Sequence, residues 1–150
     1  MGESIKSKYK PSYPNKYVGN PNNIVCRSSW ERRFCHWADL NPNIIQWASE
    51  EVAIPYVSPL DNRVHRYYPD FLIKVKEMTG ATKTYLIEVK PDKQTRPPKK
   101  GKRVTKSFIY ESKTWAVNQA KWEAAVEFCK DHRIDFKIIT EKELGVNQWR

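Results

Sequence analysis

The first apolar period begins at residue 28. Trp30, Phe34, Trp37 and Ala38 recur at helical spacing and Asn41-Pro42 stops the run, which predicts a short amphipathic helix over 28–41. Two short apolar segments follow at 44–47 and 52–56, with Pro55 marking a strand end or sheet edge, and Pro59-Leu60-Asp61-Asn62 makes a turn. Residues 63–76 and 82–90 are rich in Val, Ile, Tyr and Phe and flank Met78-Thr79-Gly80-Ala81, so they are predicted as the two strands of a hairpin. Trp115, Gln119, Trp122, Val126 and Cys129 alternate steps of four and three, giving a long helix over 112–131 with one apolar face. Residues 134–140 read as a final strand, and 141–144 open a last short helix before Gly145. The order helix, strands, helix, strand predicts an α/β fold with a mixed central sheet flanked by helices.

Two stretches lack this periodicity. Residues 1–27, rich in Lys, Tyr, Asn and Pro, read as a basic N-terminal arm or irregular lead-in, mobile unless a partner orders it, and 28–150 as the domain proper. Residues 91–106 carry Pro97-Pro98 and a run of Lys and Arg, the composition of an exposed basic loop.

Length and composition narrow the class. A chain of 150 residues makes one domain with a genuine core, and six Trp, eight Tyr and five Phe predict that aromatics fill much of it. Lys and Arg number 27 against 17 Asp and Glu, a net charge of +10, which favours a polyanionic partner. No apolar stretch approaches the roughly 18 residues of a membrane span. The N-terminus has no apolar segment of a secretory signal, so the cytosol is the expected compartment. Cys26, Cys35 and Cys129 are odd in number and widely spaced, which argues for core thiols over a disulfide framework or zinc site, and Cys35-His36 lacks further ligands.

The candidate chemistry sits on the hairpin. In Tyr85-Leu86-Ile87-Glu88-Val89-Lys90 the strand period puts Glu88 and Lys90 on one face. On the other strand Phe71, Ile73 and Val75 share the apolar face while Asp70 shares the opposite one with Leu72. A hairpin folded about Thr79 sets Asp70 opposite Glu88, where two like charges destabilise the ladder unless something offsets them. A divalent cation would do so: Mg²⁺ takes hard oxygen ligands from one or two carboxylates and completes its shell with water and phosphate. A nearby ammonium such as Lys90 then stabilises developing charge on phosphate. An ordinary surface hairpin with exposed ion pairs, each worth under about 1 kcal/mol, leaves the same pattern.

Tyr68-Pro69-Asp70-Phe71, then eighteen positions to Glu88, then Glu88-Val89-Lys90, resembles the PD-(D/E)xK nuclease superfamily. The helix bearing Glu31, the approach Ile54-Pro55-Tyr56, the apolar strands and the following helix and strand extend that resemblance over about 28–144. The arrangement is similar to the endonuclease subunit of Tn7-type transposases, and the whole chain resembles the head completion nucleases of T-even-type phages. The resemblance implies a restriction-endonuclease-like core and metal-dependent hydrolysis of DNA phosphodiesters, with Mg²⁺ as cofactor and Mn²⁺ substituting. It makes Asp70 and Glu88 metal ligands, Lys90 the catalytic lysine and Glu31 an additional ligand. For Glu31 a capping box with Ser28 is the competing reading. Glu50 and Glu51 read as a solvated pair, and His65 as a strand surface residue. The phage relatives further imply action in head completion before head–tail joining, head or portal and neck proteins as partners, and a place in the host cytoplasm or on the virion.

Lys93, Arg96, Lys99, Lys100, Lys102, Arg103 and Lys106 follow the site closely, and Lys121 shares a stripe of the long helix with Thr114 and Asn118. Such residues are expected to hold DNA by its phosphates, with strong salt dependence and little sequence preference. The arm adds Lys6, Lys8, Lys10 and Lys16. Two alternatives stay open: a non-catalytic DNA-binding head or connector protein, and a transposase-type subunit that cuts only with its partner.

Overall fold

A computed structural model describes residues 6–144. Strands β1 (Ser7–Lys8) and β2 (Val25–Cys26) lead into helix α1 (Ser29–Leu40), followed by β3 (Ile44–Ser49), β4 (Ile54–Val57), β5 (Val64–Tyr67), β6 (Phe71–Lys76) and β7 (Thr82–Val89). Helix α2 (Lys106–His132), β8 (Asp135–Ile139) and α3 (Glu141–Leu144) complete the described residues. The central sheet has the order β3-β6-β7-β8, antiparallel except for the parallel pair β7–β8. This mixed sheet between helices is the architecture expected of a restriction-endonuclease-like core.

Period-two alternation places two different cores on the two faces. Phe71, Ile73, Ile87 and Val89 meet α1, whose Phe34 stacks on Phe71 with ring centroids 4.1 Å apart. Leu72, Leu86 and Ile138 meet Trp122, Ala125 and Cys129 of α2. Leu86 to Val89 are consequently buried without a break, as in a strand covered on both sides. All three cysteines are buried free thiols, and the exposed His36 turns away from the buried Cys35.

The expectation of a mobile arm does not hold for residues 6–27, which form a packed though mostly irregular lead-in; residues 1–5 lie outside the described range. β1 pairs with β2, and Tyr9, Tyr17, Ile24 and Cys26 join the α1 core. The fastening point is Asp39, fully buried on α1, which accepts from the Tyr9 hydroxyl at 2.8 Å and from the backbone N–H groups of Ser12 and Tyr13 at 2.6 and 3.0 Å. Lys16 donates to the carbonyls of Ala38, Asp39 and Asn41 at 2.8–2.9 Å, capping the C-terminal end of α1 where a cation is favoured. Lys16 is therefore not a free phosphate contact. Asp39→Ala orphans three donors and is expected to cost about 3 kcal/mol of stability in urea titration. A loss under about 1 kcal/mol would sink this account of the fastening.

The single strand expected over 63–76 is split. Pro69, fully buried, has no N–H to continue a ladder. β5 instead turns back on β4, pairing Ile54 with Tyr67, and this hairpin packs on α2. The long helix also starts six residues before its expected 112, because Thr105 caps it by accepting from the Phe108 N–H at 3.0 Å.

Candidate active site

β6 and β7 pair Phe71 with Ile87, and continuing that register one step sets Asp70 opposite Glu88. The interruption at Pro69 leaves Asp70 off the strand, and its carboxylate accepts the Val89 N–H at 2.7 Å, a bond the ladder would otherwise make. From the other side, the first turn of α1 brings Glu31. Asp70, Glu31 and Lys90 thus line one cleft of about 290 Å³ with Ser28 and Gln94.

Burial pushes the Asp70 carboxyl well above the usual carboxylate range, and the charges of Glu88 and then Glu31 push the same way. The Val89 N–H and the Lys90 ammonium oppose the shift without cancelling it. Glu31 is raised by burial too, opposed by hydrogen bonding and raised further by the nearby Glu50. The site is an arrangement of crowded carboxylates short of positive charge.

Glu88 is 5 % exposed and lies beside the cleft rather than on its wall. Its Oε1 accepts from the Tyr67 hydroxyl at 2.6 Å and its Oε2 lies 3.3 Å from Lys90 Nζ. The Lys90 backbone N–H donates to Ile139 at 2.9 Å, which ties the residue to β8 just beyond the end of β7. Glu31 keeps its capping role: its backbone N–H donates to Ser28 Oγ at 3.2 Å, and its carboxylate accepts from the Arg27 N–H at 3.2 Å. Capping and a place in the cleft coexist, because a carboxylate offers about four lone-pair sites.

Among the described residues no group of three or more His, Cys, Asp or Glu side chains converges closely enough to hold a metal ion unaided. The donors are hard oxygens, however, and two carboxylates with water and a phosphate oxygen suffice for Mg²⁺. The crowding of like charge around Asp70 is what a bound cation would relieve, so the residues fit such an ion in kind.

Sequence reasoning missed Tyr67, which orients Glu88, and Gln94, which enters the cleft from the turn after β7. Tyr67 is separated from the motif by Pro69, and nothing in the local pattern pairs it with Glu88. Lys121 is half-buried rather than presented as an open phosphate contact, with Nζ 5.6 Å from the Tyr67 ring centroid and 5.9 Å from that of Tyr56. Burial, and then the charge of Lys90, hold its ammonium below the usual lysine range, while Glu88 and Asp70 pull it up. Glu50, expected to be solvated, is ion-paired with Arg27 at 3.0 Å near the cleft, and its N–H donates to the Asp70 carbonyl. His65 is exposed on β5, 2.8 Å from Asp61.

The basic residues after the cleft divide. Lys93 lies in a short turn and Lys106 opens α2, both exposed. Lys99, Lys100, Lys102 and Arg103 stand exposed in the loop between them. Arg96 is exposed but paired with Asp92 at 2.9 Å.

The family model for the TnsA-like endonuclease N-terminal domain matches residues 41–141, a span that holds Asp70, Glu88, Lys90 and Lys121 but not Glu31. The chain is 40% identical over 145 residues to the head completion nuclease of Enterobacteria phage T4, covering 94% of each chain. No solved structure matches.

Proposed function

This chain belongs to the TnsA-like endonuclease N-terminal family, and on that premise we propose that it is a divalent-metal-dependent nuclease that hydrolyses DNA phosphodiesters during completion of phage heads. The observation that carries the chemistry is the cleft in which Asp70 and Glu31 crowd together beside the Lys90 ammonium. Asp70 and Glu88 would hold Mg²⁺, or Mn²⁺ in its place, with Glu31 as an additional ligand. Bound there, such an ion would polarise the scissile phosphate and lower the pKa of an attacking water. Tyr67 holds Glu88 in one orientation through its hydroxyl, and Lys90, 3.3 Å from Glu88 Oε2, would supply a positive charge next to the reacting phosphate. The basic loop would hold the DNA by its phosphates, and phage head or portal and neck proteins would be its protein partners.

The test is nicking of supercoiled plasmid by the purified protein with Mg²⁺, with Mn²⁺ and with chelator. Cutting only with metal supports the reading; DNA binding without cutting in any metal favours the non-catalytic or partner-dependent alternative. Mg²⁺ should also raise thermal stability, by about 2.7 kcal/mol at a hundredfold excess over its Kd. The same titration on Asp70→Asn should show little or no shift, and an undiminished one would remove Asp70 from the metal site.

Charge reversal of Lys99, Lys100, Lys102 and Arg103 should weaken DNA binding. It should also flatten the slope of log affinity against log salt by up to roughly 3–4, about 0.9 for each phosphate no longer neutralised. An unaltered slope would take this loop out of the binding surface.

A further inference from the structure

A second cavity adjoins the acidic cleft. It encloses about 300 Å³ between the turn carrying Lys93, Gln94 and Arg96 and the α2 side chains Tyr110, Thr114, Trp115 and Asn118. Gln94 lines both spaces, so they share a wall. The helix stripe Thr114, Asn118 and Lys121 is thereby divided: Lys121 goes to the active centre and the other two face this cavity.

Its chemistry is mixed in a specific way. Asn118 lines the cavity and is 5 % exposed as a residue. Its amide offers one donor group and one acceptor, which match the edge of a nucleobase. Trp115 is held edge-on against Trp122, with centroids 6.3 Å apart, and offers an aromatic surface beside that amide. Tyr110, 72 % exposed, adds a ring at the rim that buries nothing in the protein core. Lys93 stands on the side toward the cleft's turn, where phosphates would pass, with Arg96 beside it paired to Asp92 at 2.9 Å, whereas Glu111, bonded to Ser107 at 3.1 Å, disfavours phosphates on the helix side. Rings for stacking, an amide for an edge and cations along one border are the features of a site for an unstacked base.

We propose that this cavity receives one unpaired nucleotide of the DNA strand whose phosphate lies at the acidic cleft, so that the preferred substrate is a duplex with a single-stranded end. A base inside an intact duplex cannot enter a space walled on two sides by side chains without leaving its stack. This inference rests on the nuclease reading and specifies the substrate of the same site.

The test uses the full chain in chelator, so that DNA stays uncut. 2-Aminopurine is placed as the first unpaired residue of a short overhang, or paired within an otherwise matched blunt duplex, and both affinity and fluorescence are read. The overhang should bind roughly five- to 150-fold more tightly, the range for stacking one base on aromatic side chains, with quenching of the probe. Asn118→Leu and Tyr110→Ala should bring overhang affinity down toward that of the blunt duplex. The exposed Tyr110 keeps the test valid if the Asn118 variant misfolds. Equal affinity for both DNAs with an unquenched probe overturns the subsite and leaves the nuclease reading standing; no binding to either DNA overturns the subsite, and the nuclease reading falls with it only if plasmid also stays uncut in Mg²⁺ and Mn²⁺. Binding of dAMP alone as tightly as the overhang would make this a free-nucleotide site and overturn the strand subsite.

Discussion

Asp70→Asn is expected to lower metal-dependent DNA cleavage by about a thousandfold or more while leaving the protein folded and able to bind DNA. A metal ion that polarises phosphate and activates water contributes several kcal/mol to the transition state, and about 4 kcal/mol is a thousandfold. Asn keeps the shape of Asp70 and an oxygen for the Val89 N–H, but it lacks the charge that a cation needs. Cleavage by the folded variant within tenfold of wild type would sink the assignment.

The same substitution carries an opposite expectation for stability without metal. Burial and the neighbouring carboxylates raise the Asp70 pKa, so the folded state holds its proton at pH values where the unfolded chain has released it. Stability then falls as pH rises from the ordinary carboxylate range through the raised value. Asp70→Asn removes that loss, so the metal-free variant should melt higher than wild type at neutral pH and depend less on pH. Glu31 is raised in the same direction, so a residual slope of the same sign should remain. A wild-type melting temperature that rises with pH across this window would contradict the crowding on which the metal proposal rests.

Lys90→Met should cost about a hundred- to thousandfold in cleavage, the range for removing one preorganised charge-stabilising donor, with a much smaller change in DNA affinity. Met preserves the aliphatic stem and removes the ammonium 3.3 Å from Glu88 Oε2. Glu88, buried, retains the Tyr67 hydroxyl, which makes Met a gentler test than Ala for a partner of a buried charge. Lys121→Met should reduce cleavage less, because Lys121 stands over the Tyr67 ring and meets Glu88 only as a more distant charge. Equal losses in the two variants would show that the lysines act as a pair, and a folded Lys90→Met that cuts like wild type would remove Lys90 from the chemistry.

The amino-acid sequence by itself determined the α/β class, the hairpin register about Thr79 and the gathering of Asp70, Glu88 and Lys90 near one strand end. Each follows from local rules: a period of two, a short turn, and residues equally distant from it. Ser28 and Glu31 were legible for the same reason, since a cap is written within four residues. Only the tertiary structure decided the rest. The lead-in before α1 looked unstructured because its order comes from Asp39 and the end of a helix more than twenty residues away, not from any period of its own. Pro69 split a strand that composition made continuous, and in doing so brought Tyr67 to Glu88. Lys121 resembled a surface residue on its helix until the β4–β5 hairpin covered it. A one-dimensional pattern specifies which face a side chain takes, whereas its desolvation and neighbouring charges depend on what packs against that face.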